Sequence, residues 1–149
     1  MRALIQRVSR AEVRVQGEVV GRIGPGLMIL LGVGPADDEA VGAALARKIV
    51  ELRIFPDEAG RTNRSLLDVG GEALVVSQFT LFADTRRGRR PGFTDAASPA
   101  LAEALYERFC AAVESFGVLV GRGRFGSEMD VELVNDGPFT IWLDTAQPG

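Results

Sequence analysis

The chain contains no histidine, and that absence excludes more than any residue present. Ser-His-Asp and Cys-His nucleophile systems, imidazole zinc sites and histidine acid–base work all require that side chain. Cys110 is the only cysteine, so an internal disulfide and a cysteine metal cluster within one chain are excluded as well. No metal and no cofactor are expected. Long apolar runs are missing too: "LMILLGV" (27–33) is far too short to cross a bilayer. The start, "MRALIQRVSRAEV", has no signal-peptide apolar block, because Arg2, Arg7 and Arg10 interrupt it. A cytoplasmic location without membrane contact is the expectation.

What is present fits one ordinary domain over 1–149. Apolar residues make up 46% and charged residues 25%, enough for a packed core. The net charge of −3 argues against a basic nucleic-acid coat over the whole chain. The distribution is uneven, however. "DTRRGRRPGFT" (84–94) sets Arg86, Arg87, Arg89 and Arg90 against Asp84, and Arg122 and Arg124 form a second small cluster.

Residues 2–24 alternate in places, with Gly17 and Gly21 as punctuation, and predict two or three short antiparallel strands. "GLMILLGVG" (26–34) suits a strand buried on both faces. A helix follows, capped by Asp37 or Asp38, with Val41, Ala44, Leu45, Ile49 and Leu52 at helical spacing. Residues 56–65 read as a loop, and "GGEALVVSQFTLFA" (70–83) as the strongest strand. Ser98 and Pro99 open a second helix with Leu101, Leu105, Phe109, Ala112, Val113 and Phe116 as its stripe. Cys110 sits beside that stripe and reads as a small buried hydrophobe. Strands are predicted at 118–121, 129–135 and 139–144. The order gives a mixed α/β domain: largely antiparallel, barrel-like sheet layers with two main helices on one side.

Three stretches could carry chemistry. In "SQFTL" (77–81), polar Ser77, Gln78 and Thr80 interrupt an apolar run. Strand hydroxyls satisfying neighbouring backbone would explain them; so would an active-site strand end. A hydroxyl nucleophile needs a base, and neither Lys48 nor any carboxylate lies near Ser77 or Thr80 in sequence. The arginine loop is either a solvated turn or a phosphate contact, since guanidinium forks match phosphate oxygens. "GRGRFGSEMDVELVNDGPFT" (121–140) holds glycines that imply bending or close approach, in a spacing that does not match a nucleotide-binding fingerprint. Within it, Asp136-Gly137-Pro138 reads as a turn between two strands. Cis bonds are only about 5–6% of X–Pro bonds, so the residues alone do not point to one.

"SQFTL" followed by "NDGPFT", with "RALIQRV", "RRPGF", "ALYERF" and "GRFGSEMDVELVNDGP" in order, resembles the D-aminoacyl-tRNA deacylase family over essentially the whole chain. Ser127 stands where alanine is expected and Gly92 where the family often has serine. The resemblance implies an enzyme that frees a D-amino acid, or glycine, from the terminal adenosine of tRNA by ester hydrolysis and refuses L-aminoacyl-tRNA. It implies a homodimer and no metal. Ser77, Gln78, Phe79 and Thr80 would form the catalytic strand end, with backbone N–H groups around Phe79 and Thr80 holding the oxyanion. The substrate's 2′-hydroxyl would assist attack, with a nucleophilic Thr80 as the competing account. Gly137-Pro138 would be cis and would reach into the partner subunit's site, its carbonyls facing the substrate amine. Arg7 would hold that element, and Phe125 and Met129 would line the adenosine or pocket side. Arg86, Arg87, Arg89 and Arg90 would meet tRNA phosphates. The alternatives are a relative of the same fold acting on an L-aminoacyl-tRNA, a non-enzymatic RNA-binding module and a structural dimer.

Overall fold

A computed structural model describes residues 1–147 of the chain. The spine is β1 (Arg2–Val15), a single fourteen-residue strand where several short ones were expected. On one edge its first half pairs antiparallel with β3 (Gly26–Gly32) and its second half with β2 (Glu18–Ile23). Along its other edge it pairs antiparallel with β8 (Asp130–Asp144). β3 continues in parallel to β6 (Glu72–Ser77), and β6 in parallel to β7 (Val120–Arg122). A small hairpin, β4 (Phe55–Pro56) with β5 (Thr62–Arg64), and a short helix α2 (Leu66–Val69) occupy the predicted loop region.

Parallel neighbours need long crossovers, and the two main helices supply them. α1 (Glu39–Glu51) links β3 towards β6, with Asp38 accepting from the Val41 N–H as its cap. α3 (Pro99–Glu114) links β6 to β7, capped by Ser98. The two helices pack on one face of the sheet, where Leu27, Ile29, Leu31, Ala73 and Val75 meet Leu45, Ile49, Leu105 and Phe109. Met28 faces the other way and joins Val8, Val13, Ile23, Leu74 and Val76 where the sheet curls on itself. The run 27–31 is therefore apolar on both faces, as its composition required.

The buried face of α1 is Gly42, Leu45, Ala46, Ile49 and Val50, and Ala44 is exposed. Gly42 and Ala46 face inward, where small residues permit close packing: a Cβ at Gly42 would lie 3.4 Å from Met1 Cε. The strand predicted over 70–83 stops at Ser77, and Phe79–Phe82 form a 3₁₀ turn. An apolar run does not distinguish the two, because Phe82 is satisfied by packing under the Arg2 guanidinium at 4.3 Å.

The strands predicted at 129–135 and 139–144 are one strand, so Asp136-Gly137-Pro138 is not a turn between strands. Both halves pair with β1, and the register passes from Gln6↔Thr140 to Val8↔Asn135. Arg7 thus stands opposite the four residues 136–139, which leave the ladder as a bulge. The Gly137–Pro138 bond is cis.

β2 and β7 approach closely enough to make the sheet nearly a barrel. An added Cβ at Gly21 would stand 2.5 Å from the Arg122 carbonyl oxygen, so only glycine fits at that seam. Gly21→Ala is expected to destabilise the fold by about 2 kcal/mol or more, as overpacking against rigid backbone does. A urea titration within ~0.5 kcal/mol of wild type would show that the seam yields.

Candidate active site

β6 delivers its polar end to the rim of the sheet. Val75 and Val76 are buried, Ser77 is half-buried and ends the strand, and the Gln78 N–H still donates to the Leu31 carbonyl at 2.8 Å. The chain then enters the 3₁₀ turn. The opening N–H groups of a helical turn have no acceptor within it, so Phe79 and Thr80 offer theirs at the strand end. Gln78 Nε2 donates to the Thr80 hydroxyl oxygen. With that oxygen accepting, the Thr80 proton is free to be donated elsewhere.

A cavity of about 780 Å³ opens here. Ser77, Gln78 and Phe79 line it with Phe125, Met129 and the apolar Val33, Val76, Ala97 and Ala102. Met129 reaches it across Gly123, where a Cβ would come within 2.8 Å of the sulfur. That close approach accounts for one glycine of "GRGRFG". Phe93, Ala96 and Ala97 also line the cavity, and Phe93 meets the exposed Phe79 edge-on at 5.2 Å. The sequence marks Phe93 only as part of the arginine-loop motif and does not mark 95–97, because a short stretch after that loop carries no periodic signal.

The arginine loop is closed at its base by backbone bonds between Asp84 and Gly92 of 2.7 and 2.9 Å. Arg86 is not free: both Nε and Nη2 donate to the Asp84 carboxylate at 2.9 Å. Those bonds hold the Asp84 carboxyl down at about 2. Arg87, Arg89 and Arg90 are exposed and, among the described residues, make no ion pair. Cys110 is fully buried, and burial pushes its thiol up to about 12, which makes it a neutral packing group.

Arg7, Gly137 and Pro138 are not among the residues lining the cavity. They form a second constellation on β1 and β8. The buried Arg7 guanidinium donates to the carbonyls of Asp136 (3.1 Å), Gly137 (3.2 Å) and Ile54 (2.6 Å), and lies 4.6 Å from the Phe139 ring centroid. Asp136 adds an ion pair at 3.1 Å. Asn135, which the sequence reading passed over, donates from Nδ2 to the carbonyls of Arg7 (3.0 Å) and Phe139 (3.1 Å). Gly137 itself is unconstrained within the chain. An added Cβ would meet only Asn135 Oδ1, at 3.7 Å, and its φ is not left-handed.

A nearly closed α/β sheet with a ligand-sized pocket at a strand end and a separate clamped bulge defines the structural class. The D-Tyr-tRNA(Tyr) deacylase family profile matches residues 4–144. A D-aminoacyl-tRNA deacylase of Roseiflexus castenholzii is 63% identical over 146 residues, covering 98% of this chain and 93% of that one. Its counterpart in Dinoroseobacter shibae is 63% identical over 144 residues, covering 97% and 99%. Among solved structures, one described as a c-Myc DNA unwinding element binding protein superposes with a TM-score of 0.91 at 38% identity, over 100% of both chains. Another, described as a probable eukaryotic D-amino acid tRNA deacylase, shares the fold with a TM-score of 0.85 at 20% identity, over 95% and 97%. The chain belongs to the D-Tyr-tRNA(Tyr) deacylase family.

Arg7 joins three main-chain carbonyls that nothing else in the site can serve at once. Arg7→Ala is expected to lower stability by about 3 kcal/mol, the scale for removing buried charge-assisted bonds, and to speed amide exchange at 136, 137 and 139. Arg7→Lys should restore little, since an ammonium lacks the planar fork. Unchanged exchange in Arg7→Ala would show that the bulge holds without it.

Proposed function

We propose that the protein hydrolyses the ester joining a D-amino acid, or glycine, to the terminal adenosine of tRNA and spares L-aminoacyl-tRNA. The family and its relatives supply the substrate class. Gly137 carries the rest of the reading. A glycine that its own chain does not require, at the crest of a bulge clamped by a buried arginine, is shaped for something outside the chain. The apolar cavity with Phe125 and Met129 takes the adenosine, and the strand end at 77–80 takes the ester. The bulge and the cavity are separate constellations in one chain, so a second copy brings them together. Val131, Val134 and Trp142 are exposed on β8, whose outer edge has no strand partner among the described residues. A long free edge of that kind invites a second chain.

The Phe79 and Thr80 N–H groups hold the developing oxyanion. Preorganised donors of this kind are worth about 3–4 kcal/mol each. Water attacks the ester carbon, and the 2′-hydroxyl of the terminal ribose takes part in activating it. Thr80 is bonded to an amide rather than a base, which favours a positioning role over a nucleophilic one. The carbonyls of the bulge receive the substrate amine, and the backbone behind them fills the volume an L side chain needs. Glycine has no Cβ to be refused. A cytoplasmic location follows from the substrate; no helix among the described residues is long and apolar enough to cross a membrane.

The expected outcome is cleavage of D-Tyr-tRNA and glycyl-tRNA at least about 100-fold faster than L-Tyr-tRNA, a difference near 2.7 kcal/mol. A chelator should leave the rate unchanged, and a 2′-deoxy terminal ribose should abolish most of it. Rapid cleavage of L-Tyr-tRNA sinks the reading. Normal cleavage of the 2′-deoxy substrate together with a dead Thr80→Ala makes Thr80 the nucleophile.

Gly137→Ala should melt like wild type yet lose at least about tenfold in kcat/KM on D-Tyr-tRNA, because a misplaced contact at a reacting centre acts on rate. Mixing it with Thr80→Ala should restore about a quarter of wild-type activity if chains exchange at random in a two-fold dimer. No recovery on mixing would place cavity and bulge in the same chain's site.

One observation favours a second reading, nucleic-acid binding without turnover: the free Arg87, Arg89 and Arg90, beside a structural relative described as a DNA element binding protein. Under the deacylase reading, Arg89→Ala or Arg90→Ala raises KM for tRNA more than it lowers kcat and flattens the salt dependence by about one charge each. Tight RNA binding with no ester turnover at catalytic protein concentrations would favour the second reading.

A further inference from the structure

We infer that Asn135 is a positioning residue for the Gly137-Pro138 bulge and, through it, for the choice between D- and L-aminoacyl esters. The second half of this rests on the function proposed above. The observation is that one amide nitrogen closes the bulge. Asn135 Nδ2 donates to the Arg7 carbonyl at 3.0 Å and to the Phe139 carbonyl at 3.1 Å.

The first contact stands in for the sheet ladder. Arg7 has no register partner on β8, since pairing passes directly from Gln6↔Thr140 to Val8↔Asn135. A backbone carbonyl in that position needs a donor, and the Asn135 side chain provides it. The second contact ties 139 back to 135 and closes the base of the bulge across Asp136, Gly137 and Pro138. Asn135 Oδ1 lies 3.7 Å from where a Gly137 Cβ would stand, so the amide lies beside the exposed glycine.

The residue type follows from this geometry. Two carbonyl acceptors around one nitrogen need two protons. An amide has them, a hydroxyl has one, and an ionised carboxylate of the same shape has none. Arg7 and Asn135 also divide the work. The guanidinium holds the carbonyls of 136 and 137, whereas the amide holds that of 139. Losing Asn135 therefore frees the 138–139 side of the bulge while Arg7 keeps the other. A wall that refuses a side chain by fit must be placed to within roughly 0.5 Å, so one loosened foot is enough to blur the choice.

The test uses N135D, N135S and N135A in the full chain. For each, kcat and KM are measured separately on D-Tyr-tRNA and L-Tyr-tRNA, and amide exchange is followed at Gly137 and Phe139. Asn135 is exposed, so water can replace it as donor and the variants should stay folded, with only a small loss of stability. The expected result is faster exchange and a D-to-L ratio of kcat/KM at least about tenfold lower in N135D and N135A, the scale for an active-site element displaced by a fraction of an ångström. N135S, with one proton to donate, should fall between N135A and wild type. An unchanged D-to-L ratio in N135D, where wild type discriminates, overturns the inference. A wild type that does not discriminate refutes the functional reading instead. Exchange at 137 and 139 needs no substrate, so unchanged exchange in N135D overturns the positioning role in either case.

Discussion

A buried arginine against an unpaired stretch of strand governs this molecule. Wherever β8 leaves the ladder, its carbonyls lose their partners, and backbone groups away from water need new ones. Arg7 meets that demand from inside β1, with its side chain on the carbonyls of 136, 137 and 54 and its own carbonyl served by Asn135. The guanidinium is positioned by the strand that the bulge interrupts. Bulge and clamp are thus one unit, and β1 carries it while pairing with three other strands. The Ile54 carbonyl links the same unit to the segment that follows α1.

Much of this was legible in the residues. The two helices, their caps and the doubly buried β3 follow from spacing and composition, and Asp38 and Ser98 cap as their positions required. Other features were not legible, each for a physical reason. Phe79–Phe82 looked like strand because apolarity alone does not separate a strand from a tight turn whose side chains are satisfied by packing. Ala44 fits the helical spacing yet faces solvent, because a single methyl is tolerated on either face, while Gly42 and Ala46 take the inward places without registering as hydrophobic. The segment 136–138 read as a turn because Asp-Gly-Pro is turn chemistry; only tertiary pairing decides that the chain returns to the same partner strand. The residues of "SQFTL" and "NDGP" were recognised through their resemblance to a family, and spacing alone would have left them as strand hydroxyls and a loop. Asn135 stood inside that motif without a role of its own, since an asparagine before Asp-Gly is what any turn would have.

The cavity and the bulge differ in how they are built. The cavity is walled by side chains on a rigid strand end, an arrangement that grips a constant part of a ligand. The bulge offers main chain, which has the same shape whatever residue it must face. Under the function proposed above, a site that accepts many side chains but one handedness could not draw its discrimination from side-chain contacts, because those would favour some residues over others. Backbone held from behind is indifferent to that variation, and excludes by volume alone.

The β1–β8 ladder also sets when the molecule can be completed. Gln6 bonds to a residue 134 positions along the chain, and contacts of such separation are slow to form because the intervening chain must be closed first. Until β8 arrives, the full outer edge of β1 is an open row of backbone donors and acceptors, with Arg7 lacking three of the acceptors that hold it in the finished protein. By sequence separation the bulge is among the last parts to be shaped, after the local contacts within the helices. During synthesis the exposed edge is a hazard for mispairing between nascent chains, and its short lifetime depends on how quickly the final strand follows.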